Sequence, residues 1–184
     1  MIRSLVLFTH IVGMLVLFVG LAVEWLSLQY LQRSTTPAQA SPWVSVLRAL
    51  PRSMATAVGL ILVSGIYLAA RVGVFDFGWV RVSFGAMFFM GILGGPAIRT
   101  QVRAVRDAAD DGRDATAAAL RRHASHPLLW ASLRVRAAVG FAIIYLMVGK
   151  PDLGESLLLI VVAVAVGAAM SLPQWRGQSS PVGA

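Results

Sequence analysis

The stretch Ser4–Leu28, SLVLFTHIVGMLVLFVGLAVEWLSL, decides the fold. As a helix its 25 residues run roughly 38 Å at about 1.5 Å per residue, more than the ~30 Å of bilayer hydrocarbon. Two ionisable side chains interrupt it, His10 and Glu24. Hydrocarbon tolerates neither without a partner, so each marks a functional or structural site. The run is too long for a secretory leader, and Glu24, Trp25 and Gln29 stand where small cleavage-site residues belong, so it is expected to stay in the mature chain.

Working outward, four further stretches match a membrane span in length or nearly do. They are Met54–Ala70, Trp79–Ile98, Leu128–Val148 and Leu153–Leu172. The expected fold is therefore all-α, a single bundle of about five transmembrane helices over residues 1–176, followed by a disordered tail at 177–184. The span at 128–148 carries Arg134 and Arg136 in its first turns, leaving only Ala137–Val148 free of charge. Between the first two spans, a polar segment leads into an apolar piece holding Trp43, which reads as an interfacial helix. Residues 99–127 are rich in Ala, Arg and Asp and read as a solvated inner loop.

Composition agrees. Apolar residues make up 58% of the 184 and charged residues 13%, about half the share of a soluble domain. Mean hydropathy is +0.76. The absence of cysteine excludes disulfides and thiolate metal sites. The net charge of +8 comes from arginines beside the spans, without an RNA-binding motif, which argues against a nucleic-acid partner. With the N-terminus outside, twelve Arg/Lys residues fall inside and four outside, namely Arg3, Arg71, Arg81 and Lys150. The positive-inside rule then predicts an N-out, C-in chain.

In that orientation Glu24 reaches the inner boundary, where the fourth span brings Arg134 and Arg136. In one reading Glu24 forms a structural ion pair with either arginine; in the other the arginines snorkel and Glu24 is hydrated. His10 lies roughly 9 Å below the outer boundary. Met14, one turn later, shares its helix face, and Met87 and Met90 reach similar depth in the third span. Imidazole with thioethers suits Cu(I), and a His/Met pair suits haem iron. The plainer readings are methionine as core filler and a histidine hydrogen-bonded to Thr9, Ser83 or Tyr145. His123 and His126 lie in the inner loop, so a bis-histidine haem with His10 is not expected. No P-loop, nucleophile elbow or zinc-protease motif is present, and no catalytic residue is assigned. Gly13 and Gly20 in span one, Ala55 and Gly59 in span two, Ala163 and Gly167 in span five and GILGG at 91–95 suit close helix packing, within the bundle or in a homodimer.

FTHIVGMLVLFVG in the first span, SGIYLAA closing the second, Trp79 opening the third and LMVGKP at Leu146–Pro151 together resemble a broad group of bacterial membrane proteins. These are relatives of the membrane domain of copper-resistance protein D. The chain is also loosely similar to the bacterial haem-containing protoporphyrinogen oxidase. The resemblance implies a helical bundle in a bacterial cytoplasmic membrane, with His10 at a copper or haem b site. The sequence departs from both in lacking a second intramembrane histidine and a lysine in the third span.

Two expectations follow. In one, the chain holds haem or copper at His10 with Met14, Met87 or Met90 and serves redox chemistry or metal handling. In the other, it binds no cofactor and acts in the bilayer as a scaffold, an assembly partner of another membrane protein, or a small permease.

Overall fold

Residues His10, Gly13, Leu17, Gly20, Glu24, Ser27 and Leu31 follow one another at alternating steps of four and three, and all are buried. An average step of 3.5 keeps one stripe of a helix turned toward a single neighbour. That helix is α1 (Ile2–Arg33), and its neighbour is α2 (Pro37–Val72). On α2 the buried side chains Leu47, Leu50, Met54, Ala57, Ile61 and Ser64 repeat the same spacing. The two helices form an antiparallel hairpin joined by Ser34–Thr36. Thr36 caps α2, its hydroxyl accepting from the Gln39 N–H at 3.4 Å, and Gly73 ends the helix at φ 70°.

The computed structural model describes residues 1–93, 121–122 and 124–171. Beyond the hairpin these contain α3 (Gly78–Leu93), α4 (Pro127–Gly149) and α5 (Leu153–Ala169), and no strand among the described residues. α1, α2 and α4 are long and apolar enough to cross a membrane, while α3 and α5 are shorter apolar helices. The expected end of span three, most of the inner loop and the tail lie outside the described residues.

One expectation changes. The interfacial piece and the second span are not separate: α2 is continuous for 36 residues, roughly 54 Å, through Pro42 and Pro51. Proline removes a helix hydrogen bond and crowds the preceding turn. Here the apolar stripe Ala40, Val44, Leu47, Leu50, Met54 runs unbroken across Pro51 and packs on α1, so tertiary burial outweighs the local cost. At this end of the hairpin Tyr30 stacks on Trp43, ring centroids 4.3 Å apart.

The second half docks as another hairpin. Lys150 at φ 48° ends α4, Pro151 follows, and the Asp152 carboxylate accepts from the Glu155 N–H at 2.8 Å to start α5. α5 lies backbone to backbone on α4: a Cβ built on Gly167 would stand 2.6 Å from the Val135 Cα. α4 in turn packs across α1, where Phe18 meets Phe141 at 4.9 Å. Because α4 runs antiparallel to α1, its last turns flank His10 and its first turns flank Glu24.

Gly167→Ala must therefore push α5 off α4 and lower stability by about 1–3 kcal/mol, the usual cost of overpacking. Gly59 has open space around its would-be Cβ, so Gly59→Ala is expected to be neutral or slightly stabilising. Thermal unfolding of both variants in the same detergent checks the contrast.

Candidate functional site

Both ionisable residues of the first span sit on the α1 seam, and each has a defined partner. At the Glu24 end, Glu24 Oε1 lies 2.6 Å from Arg136 Nη2, with the two residues 3% and 4% exposed. Arg136 Nε also donates to the Ser132 carbonyl at 3.3 Å, which fixes the guanidinium along its own helix. Arg134 takes no part in this pair. Its guanidinium donates to the Met170 carbonyl at the end of α5 and lies over the Trp130 ring at 5.7 Å. Glu24 Oε2 and Ser27 Oγ, one turn apart, are buried without a hydrogen-bond partner among the described residues. The charge of Glu24 is thus met by a single hydrogen bond.

At the other end, His10 Nδ1 lies 3.1 Å from the Ile61 carbonyl and 3.0 Å from Ser64 Oγ, both on α2. The partners expected from sequence do not serve it. The Thr9 and Ser83 hydroxyls donate to carbonyls of their own helices, Leu5 and Trp79, and Tyr145 is exposed. These contacts suit one tautomer. A carbonyl only accepts, and the Ser64 hydroxyl has the Leu60 and Ile61 carbonyls of its own helix to donate to. With the ring proton on Nδ1 both His10 contacts are satisfied, and in the neutral ring the Nε2 atom keeps its lone pair. Gly65 permits this approach, since a Cβ there would stand 3.2 Å from the His10 Cε1.

His10 lines a cavity of about 300 Å³ bounded by α1, α2, α3 and α4. Its wall is mainly aliphatic and aromatic. The side chains on it with polar or soft atoms are His10, Trp79, Ser83, Met87 and Met147, with the exposed Arg3 and Lys150 at its rim. Of the methionines proposed from sequence, only Met87 lines the cavity. Met14 packs half-buried against the apolar core, and Met90 is buried in that core. Met147 was missed by depth counting because it sits on the returning helix; it lies inside the LMVGKP stretch whose distinctiveness was the available signal. Among the described residues no group of three or more His, Asp or Glu side chains gathers for a metal. His126 begins α4, about 20 residues and roughly 30 Å along the helix from Met147, so it does not reach the cavity. His123 lies outside the described residues.

Arg136→Met leaves Glu24 buried and unpaired, and is expected to cost about 3–5 kcal/mol. Glu24→Leu combined with Arg136→Met removes both charges and should recover most of that loss, whereas Arg134→Met should leave Glu24 paired and cost much less. Chemical or thermal denaturation of the three variants in detergent reads the order directly.

Residues 4–151 match the model of a family described as "Predicted integral membrane protein (DUF2269)". No curated protein and no solved structure matches the chain. The family description supports the membrane class and gives no link to copper-resistance protein D. With 148 of its 184 residues inside that match, the chain belongs to this family of integral membrane proteins.

Proposed function

We propose that this chain is a multi-pass protein of the bacterial cytoplasmic membrane that holds a transition metal, as copper or as haem iron, on His10 Nε2. The carrying observation is the anchored imidazole: Nδ1–H is tied to the α2 backbone, which leaves the Nε2 lone pair as the free valence of a ring lining a cavity. Metal-binding histidines recur in this arrangement, one nitrogen held by a carbonyl so that ring orientation and basicity are set for the other. Met87 and Met147 line the same cavity, and their thioethers are soft donors that would suit Cu(I) or haem iron. Met14 and Met90 are left out of the set, because neither lines the cavity.

With the N-terminus outside, the cavity opens in the outer half of the bilayer. A redox or metal-handling role at that face follows from the ligand chemistry. No catalytic residue is assigned, since the wall offers no acid–base pair beside His10.

An absorption spectrum of the detergent-purified protein, oxidised and then dithionite-reduced, with copper and iron analysis of the same sample, tests the reading. A Soret band that shifts on reduction and is lost in His10→Ala identifies haem; copper without a Soret band, lost in the same variant, identifies a His/Met copper site. A colourless, metal-free protein that takes up neither copper nor haemin contradicts the proposal and favours the cofactor-free scaffold.

A further inference from the structure

The cavity has two chemically distinct ends. His10 forms the inner one. The rim carries Arg3, in the first turn of α1, and Lys150, which ends α4. Neither has an ion-pair partner among the described residues: Asp76 is held by Arg81 and Glu24 by Arg136, and the Asp152 carboxylate, two residues beyond Lys150, caps α5 by accepting from the Glu155 N–H. Two unpaired cations on one rim, above an apolar wall, form a receptor for carboxylate or phosphate oxygens. The Lys150 backbone is left-handed at φ 48°, which turns the chain at the end of α4 beside the cavity. Arg3 precedes His10 by seven residues, two helical turns, or roughly 10 Å.

A ligand that uses the whole site therefore has an anionic edge, an apolar body and, about 10 Å or less from that edge, an atom to meet an imidazole. A bare copper ion uses only the inner end. An iron porphyrin bearing carboxylates along one edge uses both. Resting on the reading of His10 as a metal ligand, we infer that Arg3 and Lys150 bind the carboxylates of a haem-type porphyrin whose iron His10 holds. The cavity of about 300 Å³ is at the small end of ligand sites, so it sheathes part of such a ring, with the charged edge at the rim. The residues make two separable contributions. His10 sets the iron's spectrum, and Arg3 with Lys150 sets affinity through charge.

The test titrates the full-length protein in detergent with haemin, with haemin dimethyl ester, and with Cu(I) against a competing chelator. The ester keeps iron and ring and lacks the carboxylates. The His10-dependent part of the spectrum is the readout, and size-exclusion profiles verify that each variant is folded. Arg3→Gln/Lys150→Gln is expected to weaken haemin binding at least about tenfold, with the Soret position unchanged and ester affinity unaffected. Rim charges that leave haemin affinity unchanged, or that affect acid and ester equally, would overturn the carboxylate assignment while His10 stands. So would His10-dependent binding of Cu(I) with none of haemin. A haemin spectrum identical in wild type and His10→Ala would instead overturn the reading of His10 beneath it.

Discussion

An ionisable side chain on a helix seam inside a bilayer calls for a partner on a neighbouring helix, because no water is there to replace it. α1 places two such groups on one stripe, His10 and Glu24, fourteen residues or two heptads apart. Much of the described structure follows from supplying them. α2 runs antiparallel so that Ile61 and Ser64 meet the imidazole. α4 crosses so that Arg136 meets the carboxylate. Gly13 and Gly20, between the two sites, bring α2 close to α1, near enough for the His10 bonds: a Cβ on Gly13 would stand 3.0 Å from an Ile61 side-chain carbon. Burial along the seam does the rest, with Leu17, Met54, Ala57 and Ile61 filling the interval.

The two sites differ in kind. The Glu24–Arg136 pair consumes one oxygen of the carboxylate and faces packed side chains, so its role is to fix how α4 sits on α1. The His10 site consumes one nitrogen of a ring that lines a cavity. Both pin the same seam, and along the roughly 21 Å between them the buried stripe of α1 carries only glycine and leucine. A ligand at His10 would therefore be served from the cavity's own rim, where Arg3 and Lys150 stand, rather than from the Glu24 end.

The helical class was legible in the sequence because hydrocarbon imposes a length and a composition that few other environments demand. Glu24 and an arginine of the fourth span were legible as neighbours for the same reason, since a charge at that depth calls for another. Which arginine was not legible: Arg134 and Arg136 are two residues apart and so point to different sides of α4, and only packing decides which side meets α1. The continuity of α2 was hidden by Pro42 and Pro51, local signals that a long tertiary seam overrides. The partners of His10 were missed because one is a backbone carbonyl, which any sequence supplies, and the other a serine among apolar residues at Leu60–Leu62 and Ile66. Met147 was missed because depth counting favoured spans running in the same direction as the first.

The claim on which the account rests is that His10 is held by Nδ1–H and offers Nε2. Nitrogen-15 spectra of histidine-labelled protein in lipid, with His10→Ala to assign the signals of a chain that has three histidines, read this directly. The account predicts a neutral His10 ring protonated at Nδ1 with a hydrogen-bonded proton, and an unprotonated Nε2 whose resonance moves when haemin or copper is added. A ring protonated at Nε2 alone would contradict it, because the nitrogen facing the α2 carbonyl would then have no proton to give.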